Sequence, residues 1–312
     1  MGSLYVAPAL GTAYNSQIPK MRPNGSTSNG SPSSPALAQS RRVFAQMRRS
    51  LGRLAKQAAA RDVHHFRTNS RRAEALISEL APGTRNRKRL LKAISRLRKK
   101  AGKVRDLDVQ IEFMKNFKIA DRQDHRTQFL EKLNAEQARR SRKLSKAFDA
   151  ETVKELRKRL RRAQSEIKLD GIDPVKLAID RLPKPGEISV DEQNLHRNRV
   201  AGKQARYLAE LGGDSPDAKF VVEELKKAQD IIGQWHDVLK LKQAAEQQFG
   251  SVRDSALVSA LQNISRARFR RAANALAVAT AAISERRKGG VPEPAARKEI
   301  ASDSARTREA AA

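Results

Sequence analysis

Residues 64–75 read HHFRTNSRRAEA, and residues 196–207 read HRNRVAGKQARY. Each stretch sets a histidine, an arginine three residues on and a basic residue four further: His64, Arg67 and Arg71 against His196, Arg199 and Lys203. At ~100° per residue, positions i, i+3 and i+7 lie within about 60° of one another, so each triplet forms one row along a helix. Phe66, Ala73, Leu76, Ile77 and Leu80 fall on the far side of the first helix. Ala201, Ala205, Leu208 and Ala209 do so on the second, where Arg206 prolongs the basic row. Both helices are amphipathic, with cations turned away from the apolar face.

A second coincidence occurs at a matching offset. AGKVRDLDV from Ala101 and IGQWHDVLK from Ile232 each place a glycine three residues before an ionisable side chain that is followed by Asp. Gly102, Arg105 and Asp106 thus match Gly233, His236 and Asp237, and the first histidine precedes the glycine by 38 residues in one copy and 37 in the other. Two coincidences at one offset indicate an internal repeat.

Outward from these stretches, apolar residues recur at three and four spacings with no alternating strand pattern, which predicts an all-α chain. Ser34 and Pro35 suit an N-cap and first helical position, opening a helix that runs to about Ala60. Breaks at APGT (81–84), near Ala120 and Asp121, at LDGIDP (169–174), LPKPGE (182–187) and LGGDSP (211–216), and near Gly250 leave about eight helices. Repeat one spans about 36–168 and repeat two about 172–288. Residues 1–35, rich in Ser, Asn, Gly and Pro, read as a disordered tail, and 289–312 as a flexible one.

Lys and Arg total 64 against 34 Asp and Glu, a net charge of +30, and 39% of residues are hydrophobic. The chain can bury a core, and its charge calls for a polyanion or anionic surface. Cysteine is absent, which excludes disulfides, thiol nucleophiles and Cys metal sites and fits a reducing, cytoplasmic setting. No apolar run of membrane-spanning length and no signal-peptide pattern occurs. The rows suit phosphate, because arginine grips its oxygens bidentately, lysine adds point charge and histidine donates through a ring N–H. Asp106 and Asp237 would orient neighbouring basic groups and keep them charged. A single such row is more often a solvated helix face than a site, and repetition at matching positions shifts the weight towards a site.

VHHFRTNSRR with GKVRDLDV, then LHRNRVAGKQARYLAEL with GQWHDV, together resemble the CHAD domain, the conserved histidine α-helical domain, over about residues 37–288. The resemblance implies two four-helix bundles related by a pseudo-twofold axis and a basic central channel or surface that binds inorganic polyphosphate. It implies no catalysis and no cofactor or metal, with association with polyphosphate granules as a consequence of the ligand. The ligands carried over are His64, Arg67, Arg71, Arg105, His196, Arg199, Lys203, Arg206 and His236, with Asp106 and Asp237 supporting. Glu74 departs from the pattern at the position matching Arg206, so the first half is expected to grip less tightly there.

Residues 41–110 carry 21 Lys and Arg against 5 acids, enough for strongly salt-dependent binding of a polyanion. Non-specific nucleic-acid binding is the alternative; aromatics are only 4% of residues, which leaves few platforms for base stacking. A metal-dependent phosphohydrolase built on His196, His236 and Asp237 fits poorly, because His236 corresponds to Arg105 and a guanidinium does not ligate a cation. Oligomeric state is left open. Trp235 reads as core, His65 as structural and His125 as a surface histidine. The run Arg139–Arg162 reads as a solvated face. Gly102 and Gly233, each costing about 1 kcal/mol of helix propensity against Ala, read as points of close helix approach, with a kink or access for phosphate as the alternatives.

Overall fold

The computed structural model describes residues 34–183 and 191–289, so the expected tails and much of the 182–187 break lie outside the described residues. Within them the chain is all-α: α1 (Pro35–Lys56), α2 (Ala60–Leu80), α3 (Arg85–Asn116), α4 (His125–Ser145), α5 (Ala150–Ser165), α6 (Pro174–Ile179), α7 (Glu192–Ala209), α8 (Pro216–Phe249) and α9 (Ala256–Arg287), with a 3-10 turn at Glu210–Gly212 after α7. Proline opens α1 as expected, and Pro174 and Pro216 open α6 and α8, where a missing N–H costs nothing. Thr84, Asp149, Asp173, Asp191, Ser215 and Ser255 each accept a hydrogen bond from a first-turn N–H of the helix that follows. Gly250 ends α8 at φ 82°, a conformation that favours glycine.

The first half contains five helices where four were expected. The chain bends at 146–149 with neither Gly nor Pro: buried Phe148 anchors the turn and Asp149 caps α5. Helix α5 returns against α1 and α3. The resulting core gathers Phe44, Met47, Phe66, Leu76, Ile94, Leu156 and Leu160, with Phe66 and Phe148 meeting edge to face at 5.0 Å. In the second half, Ile232, Trp235 and Leu239 of α8 pack on Ala272 and Leu276 of α9, while Ala205 and Leu208 of α7 pack with Val221 and Leu225. Trp235 is fully buried beside Phe269, as expected of a core residue.

Four helices position the basic rows. Helix α2 packs on both α3 and α7, and α8 packs on both α7 and α3, so the two motif-bearing pairs close on each other. On α2 the predicted apolar face, Phe66, Ala73, Leu76, Ile77 and Leu80, is buried, which turns His64, Arg67 and Arg71 out of the first core. On α7 Ala205, Leu208 and Ala209 are buried, whereas Ala201 is only half-buried. His125 is not a free surface residue: its ring stacks on Phe249 at 4.2 Å and its Nδ1 lies 2.9 Å from the Ser255 hydroxyl. No helix among the described residues is long and apolar enough to cross a membrane.

Candidate functional site

Arg67 anchors the site. Its Nη1 donates to the Gly102 carbonyl at 2.9 Å and to Asp106 Oδ1 at 2.9 Å, joining α2 to α3. The other Asp106 oxygen accepts from Lys240 Nζ of α8 at 2.9 Å. Asp106 thus pairs with a basic side chain on either side of it and ties the two halves together. Burial works against its charge, but Arg67 and Lys240 outweigh that and hold the carboxyl below the ordinary aspartate range. Gly102 leaves room for the arginine, since a Cβ there would sit 3.8 Å from the Arg67 guanidinium carbon. That is ordinary contact rather than close helix approach, and a Cβ at Gly233 would meet nothing within 4 Å. The expected packing role for these two glycines does not hold; both border open or side-chain-lined space.

Deeper along the α2–α7 contact, cations outnumber their partners. Burial and the charges of Arg67, Arg199 and Arg98 push Arg71 down to about 10. Lys203, half-buried, is held well below the ordinary lysine value by burial and then by Arg199, Arg71, Arg206 and Arg67. Arg199 is lowered by burial and by Arg67, against the opposing pull of Asp237. No hydrogen bond or ion pair reaches Arg71, Arg199 or Lys203 among the described residues, and Arg199 Nε is buried without an acceptor. Protein interiors rarely leave charged donors unmatched. Like charges gathered this way are complementary to a polyanion.

The histidines stand nearer solvent. His64 is exposed at its edge yet pushed down to about 4, by partial burial and by Arg105, His65, Arg67 and Arg71. His236 falls to about 3 through burial, Arg199 and Lys240, and its Nδ1 is buried without a partner. His196 is lowered for the same reasons, its ring 5.1 Å from that of His236. All three are neutral at pH 7 and offer an N–H donor rather than a full charge.

The carried-over set does not behave uniformly. Arg67, Arg71, Arg199 and Lys203 converge; His196 and His236 pair beside them; Arg105 acts on His64 at the edge of the group. Arg206 is partly committed, 3.9 Å from Glu210 and 5.1 Å from the Tyr207 ring centre. Asp237 makes no ion pair among the described residues, and burial together with Asp106 raises its carboxyl despite Arg199, yet its charge is the largest that favours the charged form of Arg199. The weak position at Glu74 is partly met by Arg98 of α3, which reaches Glu74 at 2.7 Å and acts on Arg71. Lys240 and Arg98 escaped the sequence reading, although Gly233, His236 and Lys240 repeat the i, i+3, i+7 spacing of the first row. The walls of the α2–α7 contact are fixed by Arg72, bidentate to Glu210 at 2.6 and 3.1 Å, and by Gln204 donating to Glu79 at 2.6 Å. No trio of His, Asp or Glu groups among the described residues is arranged to hold a metal ion.

Comparison with known proteins agrees with this architecture. The fold is similar to the crystal structure of the CHAD domain from the plant Ricinus communis, with 16% sequence identity, a TM-score of 0.56, and coverage of 80% of this chain and 91% of that one. At that identity the likeness speaks for the fold. A comparison with curated proteins finds no match. The family model described as CHAD domain matches residues 38–246, which takes in α2, α3, α7 and nearly all of α8 with every residue of the basic rows. On a match over most of its length, the chain belongs to the CHAD domain family.

Proposed function

We propose that the cationic enclosure between α2, α3, α7 and α8 binds inorganic polyphosphate without turning it over. The family is associated with polyphosphate-related proteins. The observation that carries the reading is the crowding of Arg71, Arg199 and Lys203 with no carboxylate paired to any of them. Repulsion held in a half-buried site is relieved by a ligand of high, regular negative charge, and a phosphate chain supplies one charge per unit without bases that need a platform. Burial of Tyr207, 4% exposed beneath the guanidiniums of Arg72 and Arg206, favours polyphosphate over single-stranded nucleic acid. The one aromatic ring of the rows has no face left for a base. Binding through this site would also direct the protein to polyphosphate granules.

The test is a competition titration in which labelled long-chain polyphosphate is displaced by single-stranded RNA, duplex DNA or tripolyphosphate at matched phosphate concentration, at about 50 and 200 mM salt. Polyphosphate retained at the higher salt with weak competition by nucleic acids is the expected result. Equal competition by all polymers, collapsing together with salt, would leave an undirected positive surface. Chain length measured after prolonged incubation should be unchanged; shortened chains would refute the non-catalytic reading.

A further inference from the structure

We propose that the groove between α1 and α5 is a second phosphoanion-binding site, built on Arg48, Arg49, Arg157 and Arg161 and separate from the paired rows. Two adjoining cavities lie there, of about 270 and 530 Å³, sharing Arg48 and Arg161 in their walls. The larger is within the range of small-ligand clefts, ~300–1,000 Å³, and the smaller falls just under it. Helix α1 contains no Asp or Glu over residues 35–56, and no carboxylate lines either cavity.

The arginines of α5 divide by face. Those turned to solvent are neutralised within the helix: Arg159 pairs with Glu155 at 2.7 Å, and Arg162 with Glu166 at 3.0 Å. Those turned to α1 are not. Arg157 donates through Nε and Nη2 to the Arg48 carbonyl at 3.3 Å, and Arg48 donates to Gln164 Oε1 at 2.6 Å. Both guanidiniums are thereby held in place by neutral acceptors and keep their charge unmatched. Arg49 and Arg161 are exposed and make no ion pair among the described residues. Gly52 completes the arrangement, because a Cβ there would collide with the Arg157 guanidinium that lies across it.

Four guanidiniums around an open groove match the oxygens of one or a few linked phosphates through charge-assisted, bidentate contacts. Two sources present that chemistry: free short phosphoanions, or a segment of a long polyphosphate chain. The four-residue spacing of Arg157 and Arg161 keeps both on one face of α5.

Calorimetric titration of tripolyphosphate into the full chain at low salt tests the proposal. Wild-type protein should show two classes of site, and R49Q/R161Q should lose one, its affinity falling roughly tenfold or more. R67Q/R199Q should lose the other. Arg49 and Arg161 are exposed and unpaired, so these glutamines leave the core intact; G52A, which displaces Arg157, should weaken the same class as R49Q/R161Q. Unchanged stoichiometry and affinity in R49Q/R161Q would overturn the inference whatever the fate of the paired rows. Loss confined to R49Q/R161Q, with R67Q/R199Q binding as wild type, would uphold it and refute the polyphosphate reading of the rows. Repeating the series with long chains separates the sources: a drop in long-chain affinity in R49Q/R161Q assigns the groove to the polymer, and a drop seen with tripolyphosphate alone assigns it to free short anions.

Discussion

Replacing Lys203 with methionine should stabilise the fold and weaken polyphosphate binding together. The lysine is half-buried, carries no counterion, and sits in the field of Arg199, Arg71, Arg206 and Arg67. Methionine keeps the length and apolar stem while removing the charge that those neighbours oppose. Replacing buried ion pairs with apolar residues is often neutral or stabilising by about 1–4 kcal/mol; Lys203 lacks even the compensating pair, and partial solvent access puts the expected gain at the low end, about 1 kcal/mol. For a domain of this size that raises Tm by about 2–4 °C. A charge-assisted hydrogen bond is worth about 1.5–3 kcal/mol, so losing it should weaken polyphosphate binding about ten- to a hundredfold. Thermal unfolding without and with long-chain polyphosphate reads both quantities: the free variant melts higher than wild type, and its ligand-induced rise in Tm is smaller. A variant that melts lower when free and rises as much as wild type with ligand would show that Lys203 is structural, and the crowding argument would fall with it.

Three further outcomes follow from the same geometry. His64 and His236 have folded pKa values of about 4 and about 3 against 6.5 when unfolded, so between those limits the unfolded chain binds protons that the folded one refuses. Stability should therefore fall as pH drops from about 6.5 towards 3–4; urea unfolding at pH 7 and 4.5 checks this, and H236Q should flatten part of the slope. Asp106→Ala removes the partner of both Arg67 and Lys240. It should destabilise the protein by about 1–3 kcal/mol, the cost of stranding a charged hydrogen-bonding group, and the loss should be largely recovered with polyphosphate present, as denaturation with and without the ligand would show. Gly233→Ala meets no atom within 4 Å and sits inside α8. It should stabilise by about 0.5–1 kcal/mol, and destabilisation on chemical unfolding would mean the helix cannot accept a side chain there.

The cationic rows were legible because helical periodicity fixes which residues share a face before any packing is known. Phe66, Leu76 and Ile77 had to go inward on α2, which left His64, Arg67 and Arg71 outward. The repeat supplied the second row and the Asp106 and Asp237 positions. It could not show that the two aspartates differ, because Asp106 owes its role to Lys240, a residue 134 positions away that only the packing of α3 on α8 brings within 2.9 Å. The bend between α4 and α5 was hidden for a related reason: no breaker residue marks it, and it exists because Phe148 is buried and Asp149 caps the next helix.

By itself the sequence determined the all-α class, the amphipathic faces and the excess of positive charge, since these depend on residue type and a spacing of a few positions. Tertiary structure decided which cations find a carboxylate and which find none. Arg159 and Arg162 find glutamates one turn away in their own helix, whereas Arg157 and Arg161 face an α1 that carries none. Arg67 finds Asp106 across a helix contact, whereas Arg71 and Lys203 meet chiefly other cations and Arg199 has Asp237 near it without a direct pair. Electrostatic pairing acts over a few ångströms of space, and separations along the chain do not specify those distances until the helices have packed.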